Sequence, residues 1–275
     1  MADYKIEDIH KCILNVLVVV DKVCREHNIR YWLSDGTMLG AVRHGGFIPW
    51  DDDADIAMPR PDYERFLKHA EEWLPKPFEL QTFEKDENCT SAFLKVVDGS
   101  TTLIERWSLN QVGGVYIDVC PIDGIPAQRW RRKIRIDLFH FVKSLIYLRS
   151  RDPYKRGRGY TSWLPRLLQA MVKNITLQRL KKRIQTAYDY DKAPLIADYD
   201  TGERSVMKHE VMGTPTPILF EGHEFLGVEH PDQYLKTVFG DYMKLPPENK
   251  RRIHGFDYVD FEHSYHDYHD TRVFK

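Results

Sequence analysis

The stretch Trp50-Asp51-Asp52-Asp53-Ala54-Asp55-Ile56-Ala57-Met58 constrains this chain more than any other, because it sets four carboxylates within five residues and frames them with apolar side chains. A solvated acidic tail would not be bracketed by Trp, Ile and Met. Carboxylates this close repel one another, and drawing them toward a core costs free energy unless a cation offsets the charge. A hard divalent ion with oxygen ligands is the simplest compensation. The spacing predicts an acidic strand within Phe47 to Met58. Alternate side chains on a strand share a face, so Asp53 and Asp55 project together while Ala54 and Ile56 meet the opposite layer. Asp51 would share the carboxylate face, and Asp52 would orient the loop. Asp51, Asp53 and Asp55 also match the opening of a calcium loop, but Ile56 stands where that loop requires Gly and Asp62 where it requires Glu, so that reading is set aside.

Upstream, Ser34 to Gly46 reads as a turn, a helix start and a Gly-rich loop. Gly36 lacks a Cβ, so a phosphate could approach its backbone closely. Thr37 adds a hydroxyl able to cap the helix, whose N-terminus supplies N–H groups and the positive dipole end. Arg43 and His44 lie between the two motifs and could contact a diphosphate; Arg43 could equally pair with one of the acids. A third carboxylate is best sought at Asp118, because Val115-Tyr116-Ile117-Asp118-Val119-Cys120 places an acid in a β-branched run without a packing reason. The alternative for Asp118 is a structural pairing with an Arg or a turn.

The 275 residues can bury a sizeable core, as one large domain or two small ones. Composition is that of an ordinary soluble protein, and the four cysteines show no metal spacing, which predicts reduced packing residues. The N-terminus has no signal-peptide pattern and the apolar run Val16 to Val20 is too short to span a bilayer, so the expected location is cytoplasmic. The formal net charge of −1 hides an asymmetry. Residues 126–185 carry 17 Lys or Arg against Asp137 and Asp152, a net of +15, and the remainder carries −16. Such segregation suggests an anionic partner; the alternative is a solvated helical face neutralised by the acidic remainder.

Periodicity predicts a helix over 5–27 (Ile6, Ile9, Ile13, Val16, Leu17, Val20, Cys24) broken by Asn28, then a strand at Ile29–Leu33. Gly36-Thr37 begins the next helix and Gly45-Gly46 ends it. Another helix opens at Pro61 with Tyr63, Phe66, Leu67 and Trp73 on its apolar side. Strands are predicted at Phe78–Phe83, Ala92–Val97, Thr101–Trp107 and Gly114–Cys120, with Asp98-Gly99 as a turn between the second and third. Helices follow over 128–149 and 163–188, joined by the link Arg151–Tyr160. A hairpin is predicted across Pro217–Val228, turning at Glu221-Gly222, and a short helix at Pro231–Phe239. The organisation expected is a core at 1–125, a basic helical subdomain at 126–200 and a C-terminal hairpin and helix packed on the core at 201–275.

The run Gly36-Thr37-Met38-Leu39-Gly40-Ala41-Val42-Arg43-His44-Gly45-Gly46-Phe47-Ile48-Pro49-Trp50-Asp51-Asp52-Asp53-Ala54-Asp55-Ile56 closely resembles the LicD family, which is related to the fukutin proteins. Tyr116 to Asp123 looks like the family's later acidic strand. Phe239 to Pro247, followed by Arg251 or Arg252 and His254, looks like its C-terminal signature. The resemblance implies an α+β fold with a DNA polymerase beta-like nucleotidyltransferase core, whose motif is Gly-Ser followed by an acidic pair on a strand. Here Thr37 replaces Ser, and fifteen residues lie between Thr37 and Asp53.

The implied reaction is transfer of a phospho-alcohol, typically phosphocholine from CDP-choline or another CDP-alcohol, onto a glycan or lipid-linked glycan acceptor, with no role for nucleic acid. In that reading Asp53, Asp55 and Asp118 hold Mg²⁺ or Mn²⁺, and one of them takes the acceptor's proton. Gly36 and Thr37 seat the phosphates beside Arg43 and His44, and Arg43 or Lys95 offsets developing charge. Lys95 as a solvent-exposed strand residue is the alternative. Choline recognition would draw on aromatics such as Trp32, Trp50, Trp107 and Tyr116, which a β-rich core also explains. The helix near 130–149, with Arg131, Arg132, Lys133 and Arg135 beside Trp130, Leu138, Phe139, Val142, Leu145 and Ile146, suits peripheral contact with an anionic membrane or a glycan. The tail His263, His266 and His269 reads as a solvated end or, less readily, a metal site. Two rival functions are a nucleotidyltransferase that leaves the nucleotide on its acceptor and a non-catalytic polyanion-binding protein.

Overall fold

The 3.6-residue spacing of Ile9, Ile13, Val16, Leu17, Val20 and Cys24 produces helix α1 (Ile6–Glu26), which buries all six. It ends where Asn28 takes a left-handed conformation. The computed structural model describes residues 4–83, 85–86, 89–91, 93–109, 111–151, 163–251 and 255–269. In chain order the next elements are β1 (Trp32–Leu33), α2 (Asp35–His44), β2 (Asp55–Pro59), α3 (Arg60–Trp73), β3 (Phe78–Gln81), β4 (Leu94–Ile104) and β5 (Gly113–Ile125). Then come α4 (Arg129–Ser150), α5 (Trp163–Met171), α6 (Asn174–Gln185), β6 (Leu195–Ala197), α7 (His209–Met212), β7 (Thr216–Phe220), β8 (His223–Gly227), α8 (Pro231–Phe239) and β9 (Tyr258–Asp260).

The main sheet runs β1-β2-β5-β4-β3, with β6 added to β5 and β9 to β4. Only β2 and β5 pair in parallel; the other described pairs are antiparallel. The class is therefore α+β with a mixed sheet, as the sequence predicts. Helices α1 and α3 pack on this sheet and share its core, from Ile13 and Leu17 through Ile56, Phe66, Val96 and Ile117. A second apolar cluster joins Ile136, Phe139, Val142 and Ile146 of α4 to Leu177 and Ile184 of α6 and to Ala197 and Tyr199.

Four local expectations change. The acidic strand begins only at Asp55, the first residue of the run with a partner in β5; Asp51 to Asp53 form the loop leading into it. The alternation nevertheless persists, with Asp52, Ala54 and Ile56 buried and Asp51, Asp53 and Asp55 half-buried. No chain reversal occurs at Asp98-Gly99. The Asp98 carboxylate accepts from the Ser100 N–H at 3.0 Å and hydroxyl at 2.6 Å, but this turn chemistry is absorbed as a register shift in one continuous β4. The single helix over 163–188 is two, because the chain breaks at Val172-Lys173 and buries Asn174, whose amide donates to the Cys89 carbonyl. Thr37 does not cap α2: Ser34 occupies the N-cap position, and the Thr37 hydroxyl turns to β2. The link Arg151–Tyr160 beyond Arg151, together with Ala92, Arg252 and His254, lies outside the described residues.

The hairpin β7–β8 turns where expected, at Glu221 (φ 51°) and Gly222 (φ 76°), both in the left-handed region that a two-residue turn demands. Its Glu221 carboxylate accepts from the Phe47 N–H at 2.9 Å, and the Glu221 N–H donates to the Gly45 carbonyl at 3.0 Å. The hairpin thus braces the loop that delivers the acidic run.

The strongest side-chain clamp lies below the acids. Arg60, at the start of α3, donates from Nε and Nη2 to the two oxygens of Asp123 in β5, each at 2.6 Å, and Asp123 is fully buried. Removing one partner leaves the other charge buried without compensation, which costs about 3–5 kcal/mol. Asp123→Ala should lower the unfolding free energy measured by urea titration by that amount, whereas the paired Arg60→Met/Asp123→Leu variant should recover much of it. Equal loss in both would assign the effect to packing.

Candidate active site

Strand register brings three predicted residues into one row. Asp55 on β2 lies opposite Asp118 on β5, and Asp118 lies opposite Lys95 on β4. Directly opposed residues project from the same face, so two carboxylates and an ammonium stand side by side across three strands. Asp53 and Tyr116, two positions from Asp55 and Asp118, join them; Asp53, Tyr116, Lys95 and Asp118 all line one cleft of about 330 Å³. The basic helix α4 supplies Lys143 and Tyr147 to another wall, and Gly255 and Phe256 close a third.

Lys95 is buried, which rules out the exposed-strand reading. Its Nζ lies 2.8 Å from Glu105 Oε1, 3.3 Å from Asp118 Oδ1 and 3.2 Å from the centre of the Tyr116 ring. Burial alone would lower its pKa; the carboxylates of Asp118 and Glu105 outweigh burial and hold the ammonium charged. Asp118 is pushed up to about 7, by burial first, with Lys95 opposing and Glu105 and Asp53 adding to the rise. Asp55 is driven well above the usual carboxylate range by burial and then by Asp53, Asp35 and Asp118.

Asp35 was not singled out from the sequence, although it directly precedes Gly36. It takes a left-handed conformation (φ 43°), which costs a non-Gly residue about 1–3 kcal/mol, and its N–H donates to the Tyr234 hydroxyl at 3.0 Å. Burial and the neighbouring Asp198 raise it to about 7. Asp198, raised to about 6 by burial and Asp200, follows β6 and accepts from the Thr201 hydroxyl. The alternating acids of Asp198-Tyr199-Asp200 were the available signal, beyond the end of the basic stretch 126–185.

The other predicted residues have definite places. Thr37 is buried, and its hydroxyl accepts from the Asp55 N–H at 2.8 Å, fixing α2 to the strand that carries Asp55. A Cβ on Gly36 would meet Asp51 Oδ2 at 2.7 Å, so Gly36 lets a carboxylate approach the first turn of α2. Asp52 accepts from the Gly255 N–H at 2.8 Å and anchors that loop. Arg43 donates to the Tyr242 carbonyl at 2.8 Å and, among the described residues, not to an acid, while His44 sits edge-on to Trp50. These two group with Arg251, which lies over the Trp50 ring, and the row of strand residues is a separate group. Of the aromatics, Tyr116 lines the cleft and Trp32 is buried in the core; Phe93, Tyr147 and Phe256, not anticipated, line it as well. His263 and His266 pair separately with Asp260 and Glu79.

Among the described residues no three His, Cys, Asp or Glu side chains converge into a ready-made metal cage. The donor set nevertheless fits Mg²⁺ or Mn²⁺. The donors are carboxylate oxygens, and Asp118 Oδ1 is buried in a contact with Lys95 that lacks hydrogen-bond geometry. Mg²⁺ is usually held by one or two carboxylates and completed by phosphate oxygens and water. A raised carboxyl pKa means that the folded state holds its proton to higher pH than the unfolded chain does. Its contribution is therefore full below about pH 4 and lost as pH rises through about 7 for Asp35 and Asp118. The metal-free protein should melt at lower temperature at pH 8 than at pH 5. Added Mg²⁺ should raise the melting temperature more at pH 8, and Asp118→Asn should flatten the pH trend. A metal effect equal at both pH values would remove these acids from the site.

Residues 28–147 match the LicD/FKTN/FKRP nucleotidyltransferase domain. Over 253 residues, 88% of this chain and 92% of the relative, the chain is 28% identical to the lipopolysaccharide cholinephosphotransferase LicD of Haemophilus influenzae. It is 57% identical over 30 residues to the ribitol 5-phosphate transferase FKRP of Homo sapiens, 11% of this chain and 6% of that protein. It is 31% identical over 100 residues to mannosyltransferase regulator 4 of Saccharomyces cerevisiae, 36% of this chain and 8% of that protein. The matched domain contains the whole Asp55–Asp118–Lys95 row, the α2 motif and the cleft-lining residues of α4, so the chain carries a LicD-family domain over residues 28–147.

Proposed function

We propose that this protein is a Mg²⁺- or Mn²⁺-dependent phosphotransferase, built on a nucleotidyltransferase core, that moves phosphocholine from CDP-choline onto a hydroxyl of a glycan precursor and releases CMP. The observation that carries the reading is the Asp55–Asp118–Lys95 row, whose Asp118 and Lys95 line the cleft together with Asp53. The full-length similarity to a cholinephosphotransferase supports the choice of donor, and the short similarity to a ribitol 5-phosphate transferase leaves other CDP-alcohols as close competitors.

The acceptor hydroxyl attacks the phosphorus that bears the alcohol, the bond from that phosphorus to the CMP oxygen breaks, and the acceptor's proton passes to a carboxylate. Asp53, Asp55 and Asp118 would hold the cation, which when bound supplies charge neutralisation for the diphosphate. Burial raises Asp118 to about 7 in the metal-free protein, and one of the three carboxylates would take the acceptor's proton. Lys95 keeps Asp118 in place, and its ammonium is already engaged by two carboxylates, so it acts as a positioning residue. Thr37 fixes the start of β2 through the Asp55 N–H, and Gly36 keeps the first turn of α2 open to an anionic group, the place the Asp51 carboxylate takes in this structure. Phe93, Tyr147 and Phe256 give the cleft aromatic surface of the kind a quaternary ammonium prefers.

Two measurements test this. Asp53→Asn/Asp55→Asn should retain the native circular dichroism and lose at least about a hundredfold in turnover; unchanged turnover would sink the assignment. CDP-choline labelled separately in the cytidine and choline moieties should yield free CMP and a choline-labelled acceptor. Release of phosphocholine with a cytidine-labelled acceptor would establish the nucleotidyltransferase reading, which the description of the matched domain favours.

A further inference from the structure

Helix α4 is apolar on more of its circumference than its core contacts use. Ile136, Phe139, Val142 and Ile146 face the second core. Trp130, Ile134, Leu138 and Phe141 follow at i, i+4, i+8 and i+11, a single stripe about 16 Å long on another face, and are 44–63% exposed. Helix α5 repeats the pattern with Trp163, Leu167 and Met171, 44–70% exposed. Among the described residues, seven of the thirteen exposed large apolar side chains lie on these two helices, so the exposure is concentrated and not scattered. The helices are tied together, since Arg149 Nε donates to the Val172 carbonyl at 2.7 Å and Gln169 to the Arg149 carbonyl at 2.7 Å.

The same two helices and α6 carry the basic residues. Arg132, Lys143 and Lys182 are matched by Glu203, Asp200 and Glu64. Arg129, Arg131, Lys173, Arg179 and Arg183 form no ion pair with an acid among the described residues, and the Arg131 guanidinium lies 5.2 Å from the Trp130 ring. A row of Trp, Ile, Leu and Phe flanked by unmatched arginines suits an interface that is apolar inside and negatively charged at its rim.

We propose that α4 and α5 dock this protein on an anionic lipid bilayer, with Trp130, Ile134, Leu138, Phe141, Trp163 and Leu167 entering the headgroup boundary and Arg129, Arg131 and Lys173 on the lipid phosphates. No described helix is long and apolar enough to cross a membrane, so the contact is peripheral. A second copy of the chain fits less well, because a two-fold contact would set the same unmatched cations against each other. A soluble polyanion would use the arginines and leave the apolar rows in water. Docking would also place the cleft at the surface, because α4 carries both the stripe and the cleft-lining Lys143 and Tyr147.

Co-sedimentation of the full chain with phosphatidylcholine vesicles, with and without phosphatidylglycerol, tests the proposal. The native protein should partition at least about tenfold more strongly onto the anionic vesicles and lose that partition in high salt. Both Trp130→Ser/Phe141→Ser/Trp163→Ser and Arg129→Glu/Arg131→Glu/Lys173→Glu should bind about tenfold more weakly. Their melting temperatures and their turnover with a soluble donor and acceptor should match the native protein. Native protein that stays in the supernatant, or either variant binding as tightly as native, would overturn the proposal. So would a native dimer that the apolar variant makes monomeric, since a second copy would then cover the face.

Discussion

One buried ammonium organises the centre of this molecule. Lys95 lies between Asp118 and Glu105 and against the face of Tyr116. Without it, Asp118 would be a buried carboxylate beside Asp55 and Asp53 with no positive charge to offset it, a configuration costing several kcal/mol. The compensation is incomplete: Lys95 meets Glu105 in a good hydrogen bond but reaches Asp118 in a looser contact, and Asp118 and Asp55 remain raised. A stable fold therefore carries a residual negative field at the cleft, where a cation with phosphates would lower the free energy most.

The surrounding structure holds that field in place. Thr37 pins the first residue of β2, the β7–β8 hairpin braces the loop before it, and Asp52 ties it to Gly255. The Arg60–Asp123 pair locks the start of α3 to β5 beyond the row. Asp35 and Asp198 extend the acidic patch from α2 and from the segment after β6. The site thus draws on residues from across the chain, and α4 contributes both a cleft wall and an outward apolar surface.

Much of the local order was legible in the residues. The α1 periodicity, the Glu221-Gly222 turn and the alternation around Asp53 and Asp55 are local patterns that tertiary contacts left standing. Asp118 was recognisable because an acid in a β-branched strand has no packing reason to be there. Where tertiary contacts dominated, local rules failed: the pairing of β4 with β3, β5 and β9 carries it through Asp98-Gly99, and Thr37 serves β2 in place of its own helix. The full environment of Lys95 was invisible, because its partners lie ten and more residues away and only the folded sheet brings them together. On α4, composition gave the mixture of Trp, Phe and Arg, but only packing divides it into an inward face and an outward stripe.

The central claim is that the Asp53–Asp55–Asp118 cluster is where a divalent cation binds together with a nucleotide. Titration of Mn²⁺ into the protein with CDP present, followed by the electron paramagnetic resonance signal of the free ion, tests it directly. The account predicts saturable binding that tightens as pH rises from 5 to 8 and weakens at least about tenfold in Asp55→Asn. Binding that ignores both the pH and the substitution would contradict it.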